Sequence, residues 1–203
     1  MITKDHIGDI RRSVEARLSP KRWLHTVGVA DTAIAIGKYL LPDMCDELEV
    51  AALLHDVAKE LPLEEQIRLS EEFGVELTDE DLATPAAIHS FSGVAVIKRD
   101  FPFAASDNIL SAVKNHTLGG PDMSVFDKII YISDYIEPGR LNDACRSVRE
   151  YLFSAMSSES AEERLKALDR AVMMAIDNTC AYVLSQGGHV NSRTLLAKAS
   201  LIT

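Results

Sequence analysis

An adjacent His55-Asp56 pair interrupts an otherwise apolar helical run from Leu48 to Leu61. Imidazole and carboxylate groups placed on a core-facing surface without partners cost several kcal/mol each, on the order of the transfer penalty for buried polar groups. The pair is not isolated. His25 precedes it, His89 and His116 follow it, and Asp134 stands inside a later apolar helix. Taken singly, each histidine reads as a satisfied core residue. Four of them, each on or at the end of a separate core-facing helix and joined by two aspartates, point to a shared cation. His6 and His189 lack such context and read as surface or packing residues.

The periodicity is helical throughout. It predicts helices over residues 5–18, 20–40, 47–59, 62–73, 84–99, 106–116, 124–136, 142–156 and 161–186. Ser19-Pro20 and Thr84-Pro85 each supply a cap followed by proline at the first helical position, and Ser124-x-x-Asp127 is a capping box. Pro42, Gly74, Gly119-Gly120-Pro121, Pro138-Gly139 and Gly187-Gly188 are the stops. The second helix should bury Leu24, Val27, Ala30, Ile34 and Leu41, and the last Leu165, Leu168, Val172, Ile176, Thr179 and Val183. No segment alternates with period two, and there is no repeat or linker. The expectation is a single all-α domain over residues 1–203, a bundle of about eight to ten helices.

Composition narrows the partners. The chain has 203 residues, 47% of them hydrophobic, enough for one well-filled core. A net charge of −10 argues against nucleic-acid or membrane-surface binding. An anionic substrate would then need strong local attraction, which a metal site provides. Cys45, Cys145 and Cys180 show no pairing logic and read as free thiols of a reducing compartment. No secretory h-region or bilayer-length apolar run is present, so a cytoplasmic location is expected.

Adjacent helix residues project about 100° apart, so His55 and Asp56 can both reach one ion. His25 and Asp134 would complete two nitrogens and two carboxylates, a set suited to iron, manganese, zinc or nickel. Asp56 could bridge to a second ion held by His89 and His116, or those two could face substrate phosphate. Lys59, three residues after Asp56, is either a solvated helix-terminal lysine or a phosphate clamp, and Arg140 has the same two readings. We favour the clamp for both.

The set His25, His55-Asp56, Asp134 resembles the metal signature of the HD-domain phosphohydrolase superfamily. The segments Lys21 to Ala30, Ala52 to Glu60, Ala87 to Ser90, Ala112 to Thr117, Asp127 to Arg140, Asn178 to Tyr182 and Thr194-Leu195 resemble the YqeK family over residues 20 to 200. Val57 replaces the usual aromatic residue after His-Asp, and Cys180 interrupts the late motif.

The resemblance implies an all-helical HD domain, its HD core at residues 20–140 with C-terminal helices at 142–203 completing a nucleotide site. It also implies a hydrolase of phosphoric anhydrides that splits diadenosine tetraphosphate into two ADP, by attack of metal-bound hydroxide on an inner phosphorus. His25, His55, Asp56 and Asp134 would hold iron. Asp56, Lys59 and His116 would carry catalysis. The nucleotide would touch His25, Asp56, Val57, Ala58, Lys59, His89, His116, Thr117, Asp134, Arg140, Asp177, Asn178, Thr179 and Tyr182. A homodimer through the first or last helix is an open option.

Rival HD chemistries on cyclic dinucleotides or guanosine alarmones carry signatures not found here, and cleavage of deoxynucleotides takes a similarly small share. A nucleotide-sensing module without turnover is the rival of a different class, and an all-α domain with core histidines is the plainest alternative.

Overall fold

A computed structural model describes residues 2–202. Eleven α-helices account for its architecture, and no strand occurs among the described residues. They are α1 (Lys4–Glu15), α2 (Pro20–Leu40), α3 (Cys45–Leu54), α4 (Leu63–Glu72), α5 (Asp79–Leu82), α6 (Ile88–Asp100), α7 (Asp107–Asn115), α8 (Val125–Ile136), α9 (Asp143–Met156), α10 (Ala161–Ser185) and α11 (Ser192–Ser200). None is long and apolar enough to cross a membrane.

The layout follows from which helices are apolar on more than one face. Leu48, Val50, Ala51, Ala52, Leu53 and Leu54 are all fully buried, so beyond its partly exposed first turn α3 must run through the centre. It packs against α1, α2, α7 and α8. The run Ile88 to Ile97 is likewise buried all round, enclosing α6 between α4 and α7. The amphipathic α9 and α10 close the far side, with α10 resting on α8. One contiguous apolar cluster extends from Ile7 on α1 to Ala197 on α11.

Two helices were not anticipated. The four-residue α5 is opened by a capping box in which Thr78 and Asp81 bond each other's backbone amides. The late α11 is capped by the side chain of Asn191. Asp81 accepts two 2.8 Å hydrogen bonds from the Arg193 guanidinium, and Glu80 accepts the Ser192 amide at 2.7 Å, so each helix holds the other. Together they raise the number of helices above the expected range.

Three local expectations also change. Thr84 does not cap α6: its hydroxyl donates to Glu80 O at 3.0 Å, closing α5, and the chain enters α6 through a 3-10 turn at Pro85–Ala87. The buried face of α2 is Thr26, Val29, Ala30, Ala33, Ile36 and Gly37, while Leu24 is 73% exposed. The helix is rotated so that His25 faces inward, which carries Val29 and Ile36 in with it and leaves Leu24 out. On α10 the stripe holds at Leu168, Val172 and Ile176, but Leu165 is exposed.

Candidate metal centre

The helix predicted to run through Lys59 ends at Leu54, and His55 is its C-cap. Beyond it the backbone takes successive tight turns, with the Val57 amide on Leu54 O, the Lys59 amide on Asp56 O and the Leu61 amide on Ala58 O. The last carbonyls of a helix lack partners within it. Ala52 O, which a continuing helix would use for the amide of Asp56, accepts the His55 Nδ1–H at 2.6 Å. His116, the C-cap of α7, repeats the arrangement by donating Nδ1–H to Val113 O at 2.7 Å. His25 donates its Nδ1–H to Glu137 Oε1 at 3.1 Å. In each ring the Nδ1 proton is committed, which turns the Nε2 lone pair toward a common centre. The negative ends of the α3 and α7 dipoles point the same way and favour a cation there.

Around that centre, His25 Nε2 lies 3.0 Å from Asp134 Oδ1 and 3.8 Å from Asp56 Oδ2, and His55 Nε2 lies 3.4 Å from Asp56 Oδ2. Two donors bound to one ion at about 2.1 Å stand about 3.0 Å apart in octahedral geometry and about 3.4 Å apart in tetrahedral geometry. The His25–Asp134 and His55–Asp56 spacings, 3.0 and 3.4 Å, are of that size, and the His25–Asp56 spacing of 3.8 Å is somewhat longer. Nε2 of His25 and Nε2 of His55 are moreover buried without a hydrogen-bond partner, although each faces a carboxylate. Buried orphan nitrogens of this kind cost about 1–3 kcal/mol each unless something binds them. The donors present fit a divalent cation with nitrogen and oxygen ligands.

A second triangle adjoins the first. Asp56 Oδ1 lies 3.2 Å from His89 Nε2 and 3.7 Å from His116 Nε2, and the two imidazole nitrogens are 3.1 Å apart. Asp56 thus presents one oxygen to each group. The second half already contains a cation, since the Lys59 ammonium sits 3.2 Å from His89 Nδ1 and donates to Ala86 O at 3.3 Å. The Thr117 hydroxyl stands 3.0 Å from His116 Nε2.

The electrostatics match this division. Burial raises the carboxyl pKa of Asp56, but His55, His116 and His89 outweigh it and hold the group well below the usual carboxylate range. Asp134 is treated the same way by burial against His25, His55 and Arg140, and is also held ionised. Burial opposes protonation of His55, yet the charges of Asp56 and Asp134 prevail and its pKa is raised. Burial drives His89 down to about 4, with His116 and Lys59 pushing in the same direction. Burial, aided by Arg22 and Arg140, lowers Lys59.

A cavity of about 700 Å³ opens at the α8 side of this centre. Its lining includes His116, Thr117, Asp134, Arg140, Asn178, Thr179 and Tyr182, all expected at a nucleotide site from the sequence. His25, Asp56, Lys59 and His89 belong to the adjoining centre, and three other expected residues lie elsewhere. Ala58 is wholly buried in the core, Val57 faces a small separate crevice beside Arg17 and Val96, and Asp177 is exposed and pairs with Lys198 at 2.5 Å. The family resemblance implies a nucleotide contact for Val57 and Ala58, but both are buried after the turns that follow Leu54. Cys180 packs against the core and leaves the cavity untouched.

The sequence reading missed Arg22, Glu137, Tyr131, Tyr135, Asn142 and Cys145. Arg22 donates to Asp56 Oδ2 at 2.8 Å, and Glu137 orients His25. Tyr131, Tyr135 and Cys145 line the cavity with Asn142. Helical register was the available signal: Arg22 stands one turn before His25, and Tyr131 and Tyr135 flank the turn of Asp134.

An HD-domain model matches residues 22–139, more than half of the chain and the whole span from Arg22 to the turn after α8. The chain belongs to the HD-domain family. Within it, the chain is 32% identical over 94% of both sequences to the protein of Bacillus subtilis named bis(5'-nucleosyl)-tetraphosphatase, symmetrical. It is 28% identical over 96% of both to the protein of that name from Halalkalibacterium halodurans. Among solved structures, a predicted HD superfamily hydrolase involved in NAD metabolism from Clostridium acetobutylicum superposes with a TM-score of 0.83 at 32% identity, covering 100% of this chain and 98% of that one.

Proposed function

We propose that this chain is a symmetrical bis(5'-nucleosyl)-tetraphosphatase, hydrolysing diadenosine tetraphosphate to two ADP. The observation that carries the reading is the convergence of His25, His55 and Asp134, with Asp56 turned toward the same histidines, beside a nucleotide-sized cavity edged by Arg140. In this reading His25, His55, Asp56 and Asp134 hold one divalent cation, and iron suits two imidazoles with two carboxylates. When bound, such an ion supplies a Lewis acid and a water that loses its proton near neutral pH.

The chain's own residues do the rest. Glu137, Ala52 O and Val113 O fix the imidazole rings, so no reorientation is needed during reaction. Asp56, kept ionised, orients the attacking water through the oxygen it turns to the second group. Lys59, in place of a second ion, pairs with His89 and His116 to meet the non-bridging oxygens of the phosphate under attack. Arg140, now 2.8 Å from Asp134 Oδ1, and Arg22 balance charge on the polyphosphate. Tyr131, Tyr135, Asn178 and Tyr182 receive one nucleoside. A cytoplasmic setting agrees with three free thiols.

The test is a product analysis with iron-loaded protein and diadenosine tetraphosphate. ADP as the sole nucleotide product supports the reading. ATP with AMP contradicts the symmetric register, and binding without product leaves a sensing module.

A further inference from the structure

The proposed substrate has two nucleoside ends, and the inference made here rests on that reading. The cavity lined by Asn178 and Tyr182 provides for one of them. A second cavity, of about 800 Å³, opens on the other side of Arg140, which lines both. Its floor is the outer face of α2, where Lys21, Leu24, Gly28 and Asp31 recur at helical spacing. Its wall is the turn from Glu137 to Arg140.

The wall stands close because residue 28 is glycine: a Cβ there would meet Glu137 Oε2 at 2.8 Å. The inner end of the cavity reaches His25 and Arg22. Arg22 uses one edge of its guanidinium on Asp56 while its side chain remains 30% open. The outer end is the exposed Leu24 beside Val27, with the Asp31 carboxylate one further turn along. Glu60 and Glu137 also line the cavity, but Glu60 is held by the Ser19 amide and hydroxyl and Glu137 by His25, which leaves Arg22 and Arg140 as the groups there that can face phosphate. Two guanidinium groups, an apolar surface and an outer acceptor form the sequence of chemistries that a nucleoside diphosphate presents in complement. Both volumes fall in the range of about 300–1,000 Å³ typical of small-molecule sites.

We propose that this second cavity binds the other nucleoside diphosphate half of the substrate. Its phosphates lie against Arg22 and Arg140, its nucleoside covers Leu24 and Val27, and Asp31 accepts a hydrogen bond from the base or ribose. A tetraphosphate chain laid across Arg140 then has its midpoint at the His25–Asp134 donors, with comparable space on either side. Even division follows from two flanking subsites rather than from one pocket measuring the chain. The second subsite also places Lys21, Arg22 and Arg140 where a chain of net charge −10 must attract an anion.

Leu24→Glu tests this without disturbing the core, because the side chain is solvent-exposed. The measurement compares kcat/KM of metal-loaded wild type and variant on diadenosine tetraphosphate and on adenosine 5'-tetraphosphate, which has one nucleoside. The expected result is a fall of about tenfold on the dinucleotide, mainly in KM, with the mononucleotide unchanged within about twofold. Tyr182→Ala, in the first cavity, should impair both substrates. An equal fall on both substrates in Leu24→Glu, or no fall on either, overturns the second subsite. Wild-type protein that leaves diadenosine tetraphosphate intact refutes the activity itself and this proposal with it.

Discussion

Asp56 carries the largest share of the chemistry of any residue in the molecule. One of its oxygens faces His25 and His55, the other His89 and His116, and Arg22 approaches the first at 2.8 Å. Asp56→Asn should therefore abolish both metal content and turnover, read by elemental analysis and product formation on the same preparation. Full stoichiometric metal with normal hydrolysis would contradict its role. Lys59 separates from this, since it touches His89 and a backbone carbonyl but none of the four proposed ligands. Lys59→Ala should retain metal while kcat falls about 10²–10³-fold, the usual loss for one electrostatic donor. Glu137 is a positioning residue, acting through His25 Nδ1. Glu137→Gln should weaken metal affinity about 10–100-fold, measured by chelator competition, with little change in kcat at saturating metal.

Among elements, the pair formed by α5 and α11 makes the sharpest stability prediction. Asp81 is buried, accepts both arms of Arg193, and has its pKa held down to about 2; burial opposes this, but the guanidinium and the Thr78 contacts outweigh it. A carboxylate with a folded pKa below its unfolded value near 3.8 binds fewer protons when folded. Its stabilisation is therefore complete above about pH 4 and is lost as the pH falls toward 2, amounting to about 2 kcal/mol. Arg193→Leu should lower stability by about that amount at pH 7 in urea unfolding, and the difference from wild type should shrink toward pH 2. A constant difference across that range would contradict the linkage.

These two helices also show where sequence reading fell short. The four residues of α5 are too few for a periodic pattern, and α11 follows a double glycine that reads as an end. Both are held by contacts between residues more than a hundred positions apart, which no local window contains. The long helices were legible because burial repeats along them, and the centre was legible because His and Asp on apolar faces demand a partner. Register was lost on α2, where every residue from Trp23 to Ala30 is apolar or small except the histidine and Thr26, so hydrophobicity could not choose the face. The inward demand of His25 chose it.

At the scale of the whole molecule, five helices deliver the centre from separate directions: α2, the ends of α3 and α7, the start of α6, and α8. α3 packs against α2, α7 and α8, and α6 joins them through α7, so the centre takes shape from the packing of the bundle. Its donors are set by long-range packing, so the metal should stabilise the folded chain by linkage. The proposed chemistry requires that His25, His55, Asp56 and Asp134 share one ion. Anomalous diffraction at the iron edge, from crystals of iron-loaded protein, tests this most directly. It predicts one strong peak within about 2.0–2.3 Å of His25 Nε2, His55 Nε2, Asp56 Oδ2 and Asp134 Oδ1. A fully occupied iron peak away from those four atoms would contradict it.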